Sequence, residues 1–199
     1  MMENTSRRHW FGFTLVELLI TITIAAIILA IAIPSFRDFI ALERLKSVNA
    51  QLITDIQYAR SEALSRNTPV YWSSRSLAGV KSCYSIYTTT TPGLFCLCTL
   101  GAGSACPNSA QTELKTVEIL DSGRIKLTSI ANLDFAIDNA TGGLIFGTTD
   151  FSDPLPTPFE IKVRILGSGA WALRTTISPA GRPTVCSIGT RLIAGFESC

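Results

Sequence analysis

Histidine is almost missing from this sequence. The chain of 199 residues contains one histidine, His9, which precedes a long apolar run. Histidine is the commonest metal ligand and a frequent general base, so its scarcity excludes most metal and acid–base chemistry. The sequence also contains no nucleophile motif and no phosphate-binding loop. We therefore expect a protein that is not an enzyme and that holds no metal or other cofactor.

The sequence also has no large excess of positive or negative charge. Lysine and arginine together number 17 and aspartate and glutamate 15, which gives a formal net charge of +2. A strongly basic balance is typical of proteins that bind nucleic acids or anionic surfaces. Overall charge therefore predicts no such partner here, and only a local cluster of cations can provide a site for one.

The chain does contain a nearly unbroken apolar run, residues 13–33, which ends at Pro34 and holds one charge, Glu17. A helix of this length spans roughly 30 Å, about the thickness of the hydrocarbon core of a bilayer. Arg7 and Arg8 precede the run, and basic residues beside a membrane helix favour the cytoplasmic side. The sequence therefore predicts a single membrane pass with the N-terminus in the cytoplasm.

The residues at the start of this run resemble a known processing site. Gly12-Phe13-Thr14-Leu15-Val16-Glu17 is similar to the junction of type IV pilins and type II secretion pseudopilins. The likeness covers the leader, residues 1–12, and the membrane helix, residues 13–34. The resemblance implies that a prepilin peptidase cuts after Gly12 and that the same enzyme methylates the new N-terminal residue, Phe13.

The same resemblance implies a location and partners. We expect an inner-membrane protein with a periplasmic C-terminal domain, which then enters a pilus or pseudopilus together with other major and minor subunits. An ordinary secretory signal is cut after its apolar run, but here Ile33-Pro34-Ser35 leads into further helix-forming sequence. The membrane anchor is therefore expected to stay on the chain.

Glu17 is an ionisable residue inside the apolar run. A carboxylate in hydrocarbon is costly, and it marks a functional position by default. After cleavage its partner is the amine of Phe13, four residues away on the same helix or on a neighbouring subunit. The alternative is that Glu17 closes a capping box with Thr14 at the helix start. Because of the resemblance we favour a role for Phe13 and Glu17 in assembly.

Residues 35–68 continue the helix as an amphipathic segment. Apolar residues recur at steps of three and four, which is typical of a helix that lies on an apolar surface. The apolar positions are Phe36, Phe39, Ile40, Leu45, Val48, Leu52, Ile56, Ala59 and Ala63, and the charged positions between them include Arg37, Asp38, Glu43, Arg44, Lys46, Asp55 and Glu62. Residues 55–63 resemble the end of this helix in the GspH/FimT branch of the family, which consists of minor subunits.

The ends of this amphipathic segment are set by two prolines. The helix is expected to end near Ser65, because Pro69 disfavours helix in the residue before it. Pro34, which we include among the assembly residues, removes one backbone donor and is expected to bend the helix. The alternative is that Pro34 separates two helices.

Residues 69–199 change from a helical to a strand pattern and form the predicted exported domain. Four pairs of strands are expected, each pair with a turn between its members. The pairs are 70–72 with 84–87, 116–120 with 125–128, 133–137 with 144–146, and 159–166 with 170–177. The pair around Asp121-Ser122-Gly123 is predicted to be a hairpin, and 88–111 and 150–158 are predicted to be loops. Together with the resemblance, this predicts an α+β, pilin-like fold in which a long N-terminal helix, half of it transmembrane, packs on an antiparallel β-sheet with disulfide-closed loops.

The clearest hairpin lies between Phe159 and Ile177. A three-residue turn at Gly167-Ser168-Gly169 places apolar residues opposite one another on one face. The other face then carries Lys162, Arg164 and Arg174, with Lys162 directly opposite Arg174. Like charges opposed across strands cost stability, which indicates either an anion site or a solvated face with a nearby acid such as Glu160.

Residues 177–186 are similar to the last strand of FimT-like minor pilins. Gly181 and Arg182 match the glycine-arginine turn of that family, whose DNA-uptake members use a second arginine for DNA contacts. Thr184 stands at the position of that second arginine, and Arg191 is the candidate substitute because arginine binds phosphate without a fixed neighbour. The candidate DNA-binding residues are Lys162, Arg164, Arg174, Gly181, Arg182 and Arg191, which we expect to lie near one end of the domain.

All six cysteines follow the apolar run: Cys83, Cys96, Cys98, Cys106, Cys186 and Cys199. In an exported domain they are expected to form disulfides, for which fifteen pairings exist. Cys186 with Cys199 is the favoured pair because it tethers the tail, and a loop of that size contributes about 3 kcal/mol. Zinc is the rival, but the Cys96-Leu97-Cys98 spacing does not suit a usual zinc knuckle.

These observations and the resemblance lead to three hypotheses for function. The first is a minor pilin that primes or caps a type IV pilus, a filament associated with twitching motility or DNA uptake. The second is a minor pseudopilin of the GspH type in type II secretion. The third, of a different class, is a DNA-binding receptor for natural transformation.

Overall fold

A computed structural model describes residues 14–77, 79–91, 93–129, 134–145, 159–167 and 170–199. The chain divides into two units, residues 1–40 and residues 41–199. The predicted processing site, Gly12 and Phe13, lies outside the described residues, as do the predicted connection 150–158 and the turn residues Ser168 and Gly169.

One helix, α1, extends over Leu15–Arg66. It is continuous through position 34, so the alternative in which Pro34 separates two helices is wrong, while the expected bend there stays a prediction. The helix ends one residue after the predicted Ser65. Asn67 follows in the left-handed conformation with φ 51°, a geometry that terminates helices.

In the described ranges nine strands form two antiparallel sheets, where the sequence predicted a single sheet. The strands are β1 Val70–Leu77, β2 Lys81–Thr89, β3 Gln111–Leu120, β4 Ile125–Ser129, β5 Phe135–Ile137, β6 Leu144–Ile145, β7 Phe159–Ile165, β8 Ala172–Ile177 and β9 Pro183–Ser187. Sheet A has the order β3-β2-β1-β5-β6, and sheet B has the order β4-β7-β8-β9. The α+β class predicted from the sequence is confirmed.

The globular unit, residues 41–199, contains a main apolar core and a smaller cluster formed by Tyr71, Tyr87, Cys96 and Ala136. The buried positions of α1 follow the predicted steps of three and four and include Leu45, Leu52, Ile56, Ala59 and Ala63. Inner residues of both sheets contact the same core. At its centre the ring of Trp72 stacks on those of Tyr84 and Phe135, with centroids 4.3 and 5.6 Å away.

The buried stripe of α1 begins later than the sequence predicted. Phe36, Phe39 and Ile40 were expected to face the sheets, but they are 62, 58 and 46% exposed. They belong to the N-terminal unit, whereas the first buried helix residue is Ala41. These residues continue the three- and four-residue spacing of the buried helix positions, so spacing in the sequence does not distinguish the exposed residues from the buried ones.

Asp55 is buried, although the sequence placed it among the charged residues of the solvent face. Its side chain is 2% exposed, and its two oxygens accept hydrogen bonds from the Tyr84 hydroxyl at 2.7 Å and from Lys115 Nζ at 2.6 Å. Burial, and secondarily the bond to Asp55, raises the pKa of Tyr84 far above its ordinary value. These bonds explain how a carboxylate is tolerated inside the core.

The predicted hairpin around Asp121-Ser122-Gly123 is wrong. β3 pairs with β2 in sheet A, and β4 pairs with β7 in sheet B. Arg124 adopts a left-handed conformation with φ 60°, and its carbonyl accepts a hydrogen bond from Leu166 N–H at 2.6 Å. The segment therefore carries the chain from one sheet to the other.

Other strand pairs agree with the sequence. β1 with β2, β5 with β6 and β7 with β8 are antiparallel neighbours. In the last pair Ile161 lies opposite Thr175 and Val163 opposite Leu173, the register that the three-residue turn predicted.

Three disulfides join all six cysteines, as Cys83–Cys98, Cys96–Cys106 and Cys186–Cys199. Cys83–Cys98 ties the loop after β2 to the outer face of sheet A, and Cys96–Cys106 joins two parts of that loop. On the same face Ser73 Oγ donates a hydrogen bond to the Cys96 carbonyl at 2.6 Å. This covering explains why β1 and β2 are buried on both faces. The third disulfide joins β9 to the C-terminal tail, the pair that the sequence favoured.

The buried Asp55 cluster yields a stability prediction. Asp55→Ala leaves the Tyr84 hydroxyl buried without its acceptor and Lys115 without its carboxylate, so the free energy of unfolding should fall by about 3 kcal/mol. Chemical denaturation of the full chain in detergent, followed by tryptophan fluorescence, measures the change. Glu62→Ala, which removes an exposed helical pair with Arg66, should cost under about 0.5 kcal/mol. Equal losses in the two variants would contradict the role assigned to Asp55.

Candidate functional site

The first candidate surface is the apolar segment, defined as Thr14–Ile40, which consists of the capping residue Thr14 and the N-terminal half of α1. Its large side chains are exposed, for example Leu15 at 76% and Ile31 at 73%. By length and composition α1 is able to cross a membrane, and none of its most apolar stretch is buried within the described chain. A bare apolar surface of this size is unstable in water, so it requires lipid or protein contacts.

Thr14 and Glu17 mark the start of this apolar segment. The backbone N–H of Glu17 donates a hydrogen bond to Thr14 Oγ1 at 3.2 Å, which is one half of a capping box. The Glu17 side chain is exposed. The cap engages only the backbone of Glu17, so the capping role and an assembly role for its carboxylate are compatible.

The second candidate surface is the outer face of sheet B, which we call the cationic face. It carries Lys126 on β4, Lys162 and Arg164 on β7, and Arg174 on β8. Lys162 lies opposite Arg174, as predicted, and Lys126 lies opposite Arg164. Two like-charged cross-strand pairs therefore stand side by side, each of which costs stability in the absence of an anion.

Among the residues that the structure describes, one carboxylate of this surface contacts two of the four cations. Glu160 lies 3.4 Å from Arg174 Nη1 and 3.9 Å from Lys162 Nζ. Arg174 Nε is buried without a hydrogen-bond partner among the described residues. The cationic face thus retains a net positive charge. Both interpretations made from the sequence, an anion site and a solvated face with Glu160 nearby, are consistent with this geometry.

Lys126 was missed by the sequence analysis. The alternation Ile125-Lys126-Leu127 does place Lys126 on the face opposite to the buried Ile125 and Leu127. However, the predicted hairpin assigned this strand to β3, and only the true pairing with β7 brings Lys126 beside Arg164.

Gly181 has a structural reason to be glycine. Its φ is +73°, and a Cβ at this position would lie 2.3 Å from the carbonyl oxygen of Gly142. The turn between β8 and β9 packs here on the turn between β5 and β6, where Leu144 N–H donates to the Pro179 carbonyl at 2.8 Å. The match of Gly181 to a glycine-arginine turn is therefore explained by packing, and the neighbouring Arg182 side chain is exposed.

Arg182 and Arg191 lie at opposite ends of β8, which corrects the expectation that the candidate cations gather at one end. Arg182 follows the turn after Ile177, and its carbonyl accepts from Ser178 N–H. Arg191 N–H donates to the Ala170 carbonyl at 2.9 Å, and its guanidinium lies 5.7 Å from the centroid of Trp171. Arg191 therefore cannot replace a second arginine beside Arg182.

The close packing at Gly181 yields a second prediction. Gly181→Ala should lower the free energy of unfolding by about 3 kcal/mol, because it adds a clash with Gly142 to the strain of a positive φ. Gly103→Ala is the matched control, since Gly103 also has a positive φ but open space around its Cβ position. It should cost about 1 kcal/mol. Denaturant titration of both variants tests this, and an equal cost would refute the proposed packing role.

Comparison with known proteins gives two family matches. Residues 11–33 match the model of the prokaryotic N-terminal methylation motif. Residues 49–181 match the model of the type II transport protein GspH. No curated protein sequence matches the chain.

Two solved structures are similar at low identity, both of the type IV minor pilin FimU of Pseudomonas aeruginosa strain PAO1. The P21 crystal form is 18% identical, covers 78% of this chain and 97% of its own, and has a TM-score of 0.49. The P65 form is 18% identical, covers 77% of this chain and 95% of its own, and has a TM-score of 0.42. Because the GspH model spans more than half of the 199 residues, this chain belongs to the GspH family of type II transport proteins.

Proposed function

We propose that this chain is a minor pilin that primes or caps assembly of a type IV pilus, with a GspH-type pseudopilin of type II secretion as the alternative. The observation that carries the proposal is the exposed apolar segment, whose residues 14–33 lie within the methylation motif and hold one acid, Glu17. The scarcity of histidine is also consistent with a structural subunit. The role proposed is structural and not enzymatic.

In this proposal the N-terminus is processed before assembly. A prepilin peptidase cuts between Gly12 and Phe13, which removes the leader with Arg7 and Arg8, and methylates the amine of Phe13. Until then the leader holds the N-terminus in the cytoplasm and the globular unit in the periplasm. Three disulfides suit that oxidising compartment.

The apolar segment then passes from the inner membrane into the filament. Lipid tails are as apolar as leucine, so this transfer gains little from the hydrophobic effect and depends on close packing against neighbouring helices. An unpaired carboxylate is costly in that setting, and pairing Glu17 with a Phe13 amine removes the cost. The pair therefore favours one axial position of the subunit among its neighbours. In this proposal Pro34 bends the helix where the apolar segment leaves the membrane.

The cationic face supports a second candidate function, DNA binding during uptake. Lys126 and Arg164 face each other without an ion pair in the described part of the chain. Arginine and lysine contacts with phosphate supply most of sequence-independent DNA affinity. Lys162 and Arg174 extend the same surface, whereas Arg182 and Arg191 lie at the two ends of β8.

The assembly proposal predicts that Glu17→Ala strongly reduces entry into the filament while processing continues. Removing the carboxylate leaves the Phe13 amine unpaired among apolar helices, so incorporation should fall at least about tenfold. Mass spectrometry of the mature N-terminus and immunoblots of sheared filaments provide the two measurements. Glu43→Ala, which removes an exposed acid of the same helix paired with Lys46, is the control and should assemble normally.

Two outcomes would count against this proposal. One is a native chain that still begins at Met1, since cleavage is its first step. The other is normal incorporation of Glu17→Ala. Deletion of the chain separates the two systems, because loss of surface pili supports the pilus and loss of protein export with intact pili supports type II secretion.

The DNA-binding candidate predicts a salt-dependent gel shift. The double variant Lys126→Gln with Arg164→Gln should weaken binding by the full chain and reduce the slope of log affinity against log salt by about 2. Lys46→Gln with Arg66→Gln removes two cations of α1 outside the cationic face and should change neither the affinity nor the salt slope. Arg182→Ala, measured in the same assay, tests whether the turn between β8 and β9 contributes to DNA binding. No binding at low salt, or no effect of the sheet variant, removes the cationic face as a DNA site.

A further inference from the structure

The three disulfides differ in how far a reagent can reach them. Cys83, Cys96 and Cys98 are fully buried, so both disulfides of the loop on sheet A contain buried sulfur. Cys199 is exposed and Cys186 is half-buried. Exchange requires a thiolate to attack a disulfide sulfur directly, so access controls which bond reacts. Cys106 is half-buried like Cys186, so Cys199 is the only exposed cysteine and the C-terminal disulfide is the most reachable of the three.

Cys186 lies in a row of cations. It is directly opposite Arg174 on β8, and Arg174 is directly opposite Lys162 on β7, so these three side chains share the outer face of sheet B. Nearby cations favour a thiolate and make cysteine a better leaving group. Glu160 contacts both cations, and its single charge does not neutralise the two.

The tail keeps contacts near Cys199 that do not depend on the disulfide. Ser187 N–H donates to the Glu197 carbonyl at 2.7 Å, and Cys199 N–H donates to the Ser187 carbonyl at 3.2 Å. Ile193 of the tail is buried in the core. Cys186 itself is held in β9 by pairing with β8. Opening the bond therefore leaves the two sulfurs close together, so it is able to form again.

We propose that Cys186–Cys199 is a thiol–disulfide exchange site for an external dithiol, such as that of a protein oxidoreductase. A thiolate of the dithiol attacks Sγ of Cys199, the bond to Cys186 breaks, and Cys186 leaves as a thiolate beside Arg174. The second thiol of the dithiol then displaces Cys199 and closes its own disulfide. The dithiol is oxidised by two electrons, the protein disulfide is reduced, and the two thiol protons pass to the protein thiolates or to water.

Graded reduction of the full chain in detergent tests the proposal. The oxidised protein is treated with increasing dithiothreitol, trapped with N-ethylmaleimide and mapped by mass spectrometry. Cys186 and Cys199 should be labelled at reductant concentrations that leave Cys83, Cys96, Cys98 and Cys106 paired. Arg174→Gln should slow this first reduction about threefold, because it removes a positive charge that stabilises the departing thiolate.

Two further variants separate the effect of charge from a general disturbance of the sheet. Arg174→Lys keeps the charge and should restore the rate. Arg164→Gln removes an equal charge opposite Ala172, one row away from Cys186, and should have a smaller effect than Arg174→Gln. The proposal is overturned if a buried disulfide is reduced first, if all three are reduced together, or if Arg174→Gln reacts at the wild-type rate.

Discussion

The central physical constraint on this chain is the removal of apolar helix surface from water. α1 carries apolar side chains in both of its halves, but in the described part of the chain only the half that begins at Ala41 is covered by the chain's own sheets. The other half, Thr14–Ile40, presents leucine, isoleucine and phenylalanine side chains to its surroundings. A surface of this extent is stable only in lipid or against other proteins. Membrane residence and assembly are two ways of meeting the same requirement.

The two halves also use buried polar groups differently. In the globular half Asp55 and Asn49 are satisfied within the chain, by Tyr84 and Lys115 and by Thr175, whose hydroxyl lies 2.8 Å from Asn49 Oδ1. Such pairs fix how a helix sits on its sheets, because any other position leaves them unpaired. In the apolar half Glu17 has only its backbone engaged, by Thr14. Its carboxylate is therefore suited to a partner outside the described chain, which is the role proposed for the Phe13 amine.

Sequence reasoning succeeded where one local pattern decides the structure. The apolar run defined α1, and period-2 alternation with a short turn defined the register of β7 and β8. It failed where a distant strand decides. The chain between Leu120 and Ile125 has the composition of a hairpin turn, yet it switches sheets, and Lys126 was missed for that reason. Asp55 was wrongly predicted to face solvent, because the residues that donate hydrogen bonds to its carboxylate, Tyr84 and Lys115, lie far away in sequence. The packing of Gly181 on Gly142 likewise joins two turns that no local pattern relates.

A photo-crosslinking amino acid at Ile27 in living cells tests most directly whether the apolar half of α1 is covered by molecules other than its own chain. The side chain of Ile27 is exposed, whereas that of Leu52 on the same helix is fully buried. The account predicts crosslinks from position 27 to lipid or to a second subunit, and crosslinks from position 52 only within the chain. Crosslinks from position 27 confined to the globular unit of the same chain would contradict it.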